Sequence, residues 1–202
     1  MNSITPITSL AATANGLLRQ GGSLADVQEA METIQRRSEG LLHFVEDYRK
    51  LTRLPSPHFQ ILPVKELFSR VERLMRPQLA GVAFHTNIDP ESLELTADPE
   101  QIEQVLINLI QNAVQALQGQ SGGQIALRAC MDGRGRVRIE VAGNGPGIVE
   151  EALEKVFIPF FTTKPEGSGI GLSLCRQIMR LHRGAITARS RPGEETVLAL
   201  RF

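Results

Sequence analysis

Pro99-Glu-Gln-Ile-Glu-Gln-Val-Leu-Ile-Asn-Leu-Ile-Gln-Asn-Ala-Val-Gln-Ala-Leu117 is the stretch from which the rest of this 202-residue sequence is best approached. At about 100° per residue, Ile102, Val105, Leu106, Leu109, Ile110, Ala113, Val114 and Leu117 fill one broad arc of a helix. Gln101, Gln104, Asn108, Asn112 and Gln115 fall together on the opposite side. An exposed helix face usually carries Lys and Glu, whereas this one is uncharged amide. Asn is also a poor helix former, so two of them one turn apart carry a propensity cost. Two readings stay open for this strip. It is either an ordinary solvated face or a surface turned toward a ligand or hydrated cation, whose preference for oxygen ligands the amide oxygens would meet, Mg²⁺ above all.

Around this helix the pattern mixes helix and strand. Helical periodicity also falls near 63–79 and 170–182. Strands are predicted at Val82–Ile88, Gln124–Cys130, Arg136–Ala142, Ala185–Ser190 and Glu195–Phe202. Ile125/Leu127/Ala129 and Val137/Ile139/Val141 alternate as one-face-buried antiparallel strands do. Asp132-Gly-Arg-Gly135 joins those two runs as a hairpin loop. Strands and helices do not alternate strictly, so an α+β sandwich is expected rather than a doubly wound sheet.

The N-terminal quarter has a different texture. Ile4, Ile7, Leu10, Ala11, Ala14, Leu17 and Leu18 recur at helical spacing, and Gly21-Gly22 interrupts them. Ser23 is a plausible N-cap for a second helix bearing Leu24, Val27, Met31, Ile34, Leu41, Leu42, Val45, Tyr48 and Leu51. The pair makes an αα-hairpin that ends before Pro55 and Pro57. One hairpin buries its apolar stripe poorly alone. Either the rest of the chain covers it or a second copy does; a four-helix bundle formed by residues 1–54 of two copies is the more economical solution.

Composition narrows the function classes. Lys+Arg and Asp+Glu both total 22, and this balance argues against a dedicated nucleic-acid binder. Trp is absent and Tyr48 is the sole tyrosine, leaving little for stacking on bases. No stretch has the length and apolarity of a membrane span. Cys130 and Cys175 stand far apart without a His-rich neighbourhood, so neither a zinc site nor a disulfide framework is expected. A reducing cytoplasm is the expected setting.

Two glycine runs point to a ligand. Val141-Ala-Gly-Asn-Gly-Pro-Gly-Ile148 follows a predicted strand, and its three glycines permit close backbone approach. Glu166-Gly-Ser-Gly-Ile-Gly-Leu172 leads into the helix near 170–182, whose unpaired N–H groups favour phosphate. Between them lies Phe157-Ile-Pro-Phe-Phe-Thr-Thr-Lys164, placing Thr163 and Lys164 beside the second glycine run. Neither a Walker A pattern nor a dinucleotide fingerprint is present. Thr163–Ile170 has few apolar anchors and two glycines, which predicts a mobile lid.

Taken together, Asn108-x-x-x-Asn112, Asn144-Gly-Pro-Gly-Ile148, Phe157-x-Pro-Phe-Phe-Thr-Thr-Lys164 and Gly167-Ser-Gly-Ile-Gly-Leu-Ser-Leu174 resemble the ATP-binding domain of sensor histidine kinases. In order, they look like its N box, first glycine box, F box and second glycine box. Gly193-Glu-Glu-Thr-Val-Leu198 looks like the closing glycine element. Upstream, Met1-Asn-Ser-Ile-Thr-Pro-Ile7 looks like the tail of an H box, and Arg37–Arg49 like the second dimerisation helix. The nitrogen-regulation subgroup of two-component kinases is the nearest in pattern.

The resemblance implies a dimerisation hairpin over 1–58 and, over 59–202, an α/β sandwich of the GHKL ATPase type shared with gyrase and the heat-shock chaperones. It implies ATP and Mg²⁺ as ligands and a response-regulator receiver domain as partner. Asn112 would hold Mg²⁺, while Asn108 takes the place where hydrolytic relatives put a glutamate base. Gly143, Gly145, Gly147 and Ile148 would shape the nucleotide floor. Phe161, Thr163, Lys164, Gly167, Gly169, Gly171 and Leu172 would line the lid side, and Thr196 would lie near the adenine. Asn108, Asn112 and Lys164 are the expected catalytic residues.

Two departures accompany the agreement. The family places its phosphoacceptor histidine three residues before what is Met1 here, so this chain is expected to be a piece lacking it. Any membrane attachment would then run through an upstream region. His43, His58, His85 and His182 match no acceptor position and are expected at the surface or in linkers. Gly143 stands where the family has an aspartate that receives the adenine amino group. That leaves a second class of function: a nucleotide-free, kinase-like module that dimerises and docks a regulator.

Overall fold

A computed structural model describes residues 4–19, 23–52, 54–164 and 167–202. They form two compact units, Met1–Thr52 and Arg53–Phe202. In the first, α1 (Ile4–Arg19) packs on α2 (Leu24–Thr52). Ser23 caps α2 as its sequence predicts, its hydroxyl accepting from Ala25 N at 3.2 Å. The expected break at Gly21-Gly22 lies outside the described residues, as does the side chain of Leu17. Ala14 and Ala30 are buried, whereas Leu18, Met31, Leu42, Val45 and Tyr48 remain exposed.

The second unit runs β1 (Gln60–Pro63), α3 (Val64–Met75), β2 (Ala83–Asp89), β3 (Glu94–Ala97), α4 (Pro99–Ala116), β4 (Gln124–Met131), β5 (Val137–Gly143), α5 (Glu150–Leu153), α6 (Gly171–Leu181), β6 (Ala185–Arg191) and β7 (Glu195–Arg201). A five-stranded sheet has the order β2-β4-β5-β7-β6. Its β2–β4 pair is parallel and the remaining pairs are antiparallel. The α+β architecture follows from its side-chain pattern. Ile125, Leu127 and Ile139 are fully buried, while Gln124 and Arg128 on the alternate face are exposed. α3, α4 and α6 lie against the sheet, with Phe68, Leu106, Ile110 and Ile178 in the core.

The β4–β5 loop closes as predicted. The Asp132 carboxylate accepts from Arg134 N at 2.8 Å and from Arg136 N at 3.0 Å. The Arg136 amide foremost holds that carboxyl below the usual range, against an opposing desolvation effect. β1 and β3 pair as a separate antiparallel ribbon that periodicity does not reveal. Four residues expose only two positions per face, too few to establish alternation.

Candidate functional site

Every feature of interest is organised around α4. Asp98 caps its N-terminus, accepting from Glu100 N at 3.0 Å, Gln101 N at 3.1 Å and His58 N at 2.8 Å. Burial, the largest single influence, raises its pKa. The three amides and nearby His182 outweigh that and hold the carboxyl below the usual carboxylate range. His182, predicted at the surface or in a linker, is instead buried. Its Nε2 accepts from Asp98 N at 3.0 Å and its Nδ1 lies 2.8 Å from Ile178 O, so both ring nitrogens face backbone groups. Phe59 meets that ring in a T-shaped contact at a centroid distance of 5.2 Å.

Gln101 also departs from the sequence reading. It belongs to the amide strip by helical angle but is buried, donating from Nε2 to Pro55 O at 3.0 Å. A partner 46 positions earlier turns this end of the strip inward. The N-terminal end of α4 is therefore a structural junction.

Two turns on, the strip opens. Asn108 is half-buried, donating to Cys175 Sγ at 3.8 Å and accepting from Gln104 Nε2 at 3.4 Å. Burial pushes the Cys175 thiol up to about 12, so it remains protonated and donates to Val105 O. Asn112, one turn further, is also half-buried. Its Oδ1 accepts from Lys164 Nζ at 3.4 Å, and Gln115 Oε1 accepts from the same ammonium at 2.7 Å. Burial lowers the Lys164 pKa from its ordinary value. On the other side, Asn112 Nδ2 lies 3.9 Å from where a Cβ on Gly171 would stand. No side chain caps the N-terminus of α6 that begins there, so its first N–H groups remain for an anion.

The turn after β5 borders the same region. Gly143 is paired across the sheet with Thr196, and a Cβ on it would meet Ala113 Cβ and Gln124 O only at 3.7 Å. Gly145 packs on Ala116. Gly147 has φ +93°, and a Cβ there would come within 2.7 Å of Pro192 Cα, so glycine is required. Ile148 N donates to Ser190 Oγ at 2.9 Å, and that hydroxyl is 2.7 Å from Thr196 Oγ1. Asn144 staples the turn from behind, accepting from Gln124 N at 2.7 Å and donating to Gly122 O at 3.0 Å. The Ser190 and Asn144 contacts carry no sequence signal beyond residue type.

On the lid side, Phe161 and Leu172 are half-buried and Thr163 is exposed. It is Thr162, the neighbouring threonine, whose hydroxyl accepts from Lys164 N at 3.0 Å. Gly167 N returns to Lys164 O at 3.2 Å, and Phe160 N donates to Gly169 O at 3.0 Å. Pro165 and Glu166, inside the expected lid, lie outside the described residues. Two cavities of about 290 and 410 Å³ open mainly on the outward face of the sheet, and neither is lined by Asn108, Asn112 or Lys164. Among the described residues no group of three His, Cys, Asp or Glu could hold a metal ion. Amide oxygens are the ligand type available at the strip.

Comparison with known proteins bears on this geometry. A family model described as "Histidine kinase-, DNA gyrase B-, and HSP90-like ATPase" matches residues 97–202. The C4-dicarboxylate transport sensor protein DctB of Rhizobium meliloti (strain 1021) is 32% identical over 197 residues, covering 96% of this chain and 31% of that protein. The sensory histidine kinase/phosphatase NtrB of Klebsiella oxytoca is 38% identical over 140 residues, covering 64% of this chain and 40% of that protein. The chain thus spans about a third to two fifths of the length of these relatives. The solved catalytic domain of histidine kinase ThkA matches with 36% identity and a TM-score of 0.64, over 72% of this chain and 97% of that one. ThkA in complex with response regulator protein TrrA matches with 28% identity and a TM-score of 0.69, over 99% of this chain and 58% of that one.

Proposed function

The chain belongs to the histidine kinase-, DNA gyrase B- and HSP90-like ATPase family, on its sensor histidine kinase branch, and from that premise we propose that it binds ATP with Mg²⁺ and passes the γ-phosphoryl group to a protein histidine. The observation that carries this reading is the convergence at Asn112. An amide oxygen, the Lys164 ammonium and the uncapped start of α6 meet there, beside the Gly143–Ile148 turn.

The donor set fits a hard divalent ion, since a cation already lies against Asn112 Oδ1 at 3.4 Å. Mg²⁺, when bound, supplies neutralisation of charge on the phosphate oxygens. Asn112 is the residue that would hold it. Lys164 and the N–H groups of Gly169, Gly171 and Leu172 supply positive potential on the lid side, with Gly167 tied to Lys164 O and Phe161 and Thr163 alongside. Gly143, Gly145, Gly147 and Ile148 form the floor, and Thr196 stands beside Gly143 at the base end. Asn108 cannot take a proton from water, so the site favours transfer over hydrolysis. In the transfer, the bond from γ-phosphorus to the bridging oxygen of ADP breaks as an imidazole nitrogen–phosphorus bond forms. The imidazole proton is released.

We place the acceptor outside His43, His58, His85 and His182. Both ring nitrogens of His182 are engaged in the core. Exposed Leu18, Met31 and Leu42 support homodimerisation through residues 1–54, with a response-regulator receiver domain as the onward partner. Among the described residues no helix is long and apolar enough to cross a membrane, and a cytoplasmic placement is part of this proposal. Gly143 favours the second reading, a nucleotide-free docking module, because the base end has no carboxylate at that position.

The test is transfer in trans. The chain is incubated with γ-labelled ATP and a full-length relative whose own nucleotide site has been disabled. Acid-labile phosphate on the relative, with none on this chain, is the expected result. Phosphohistidine on this chain contradicts the acceptor assignment, and failure to bind any nucleotide supports the docking module.

A further inference from the structure

Gln115 has no assigned role beyond the polar strip, yet it makes the shortest contact to Lys164. Asn112 and Gln115 are three residues apart on α4 and so share a face. Both direct a side-chain oxygen at one cation. The Nζ–Oε1 distance of 2.7 Å is in the range of a charge-assisted hydrogen bond, and the Nζ–Oδ1 distance is 3.4 Å. The contact spans 49 positions of sequence, so it ties Lys164 to α4.

The local structure sets the cation there from both sides. Thr162 Oγ1 accepts from Lys164 N at 3.0 Å, and Gly167 N donates to Lys164 O at 3.2 Å, so both backbone groups of the lysine are fixed. Opposite, α6 begins at Gly171, whose missing side chain leaves room for Asn112 Nδ2 at 3.9 Å. With Nδ2 turned to α6, Oδ1 is turned to the ammonium. Two neutral amide oxygens holding an alkylammonium are also hard ligands of the kind a divalent cation takes.

We propose that Asn112 and Gln115 together form a two-oxygen cation seat, held by the Lys164 ammonium and taken over by a divalent cation in exchange for it. Gln115 is then a metal-seat residue alongside Asn112, and Lys164 acts as a built-in competitor. The exchange cuts the tether between α4 and the lysine's loop, so divalent binding frees Lys164 at the same moment. The nucleotide reading enters only in saying that the freed lysine meets phosphate; the seat itself does not depend on it.

The experiment uses Mn²⁺ as probe, titrated into the intact nucleotide-free chain and followed by electron paramagnetic resonance. Lys164→Met should tighten Mn²⁺ binding by about tenfold or more, since a charged hydrogen bond need no longer be displaced. Adding Gln115→Leu to that variant should remove most of the gain. Gln115 is exposed and Lys164 half-buried, and thermal unfolding checks that both variants fold like the parent. Equal Mn²⁺ affinities for the parent and Lys164→Met overturn the exchange. Retention of the full gain in the double variant overturns the assignment of Gln115. ADP binding by the unaltered chain is measured alongside. Its failure with the Mn²⁺ pattern intact contradicts the nucleotide reading and supports the seat.

Discussion

At its N-terminal end α4 carries Asp98 and Gln101, both buried and tied to backbone groups of His58, Glu100, Gln101 and Pro55. Two to four turns along, the same helix carries Asn108, Asn112 and Gln115, half-buried or exposed. Asn112 and Gln115 are bound to a single lysine side chain. These side chains share polarity and helical face, and differ in what they bind. Backbone partners in the core are permanent. A flexible ammonium on a half-open surface is exchangeable. That difference separates a polar residue that holds the fold from one that holds a ligand, and it predicts that substitutions at the two ends will be felt by different measurements.

The largest expected effect is at the fold end. Asp98→Ala removes a helix cap and the acceptor for the His58 amide, which should cost about 3 kcal/mol of stability. Urea unfolding measures it, and ADP affinity of the folded fraction should stay within about twofold of the parent. A large fall in affinity without a loss of stability would erase the distinction. At the other end, Asn112→Ala should weaken Mg²⁺·ADP binding by about 2 kcal/mol, roughly thirtyfold, and change stability by less than about 0.5 kcal/mol. Calorimetry and urea unfolding on the same variant check both halves of that statement.

A smaller effect is expected at Gly143. A Cβ there meets neighbours at 3.7 Å, so aspartate fits without strain. Regaining a charged acceptor for the adenine amine should tighten ADP binding by about tenfold and leave GDP little changed. Equal ADP affinities would mean that other groups recognise the base. Smallest is the acid limb of stability. The Asp98 carboxyl is held below its unfolded value of 3.8, so its stabilisation is present above that pH and is lost as pH falls through the folded value. Asp98→Asn should flatten the stability profile below about pH 4; an unchanged profile would show that other groups dominate the acid limb.

Much of this architecture is legible in the sequence because it rests on local periodicity. The apolar arc of α4, the alternation in β4 and β5 and the cap at Ser23 each depend on residues within a few positions of one another. The differences are all long-range. Gln101 turns inward because of Pro55, and His182 is buried because it accepts from Asp98, 84 positions away. A histidine in the last turn of an amphipathic helix looks alike whether it is wet or capped by a distant amide. The parallel register of β2 on β4 has no local signature either. Lys164 stands out as a cation beside a glycine run, but its reach to Asn112 and Gln115, 52 and 49 positions away, has no local signature.

The most direct test is nuclear magnetic resonance of the side-chain amide groups during titration with Mg²⁺·ADP. Gln101 and Asn144 serve as internal references, since both are locked to backbone partners. The side-chain amide signals of Asn112 and Gln115 should move saturably, together with the backbone amides of Gly143, Gly145, Gly147, Ile148 and Gly167–Leu172, while the side-chain amides of Gln101 and Asn144 hold still. Saturable binding that leaves Asn112 and Gln115 unmoved, or that shifts Gln101 as far as either of them, would contradict the assignment of the site.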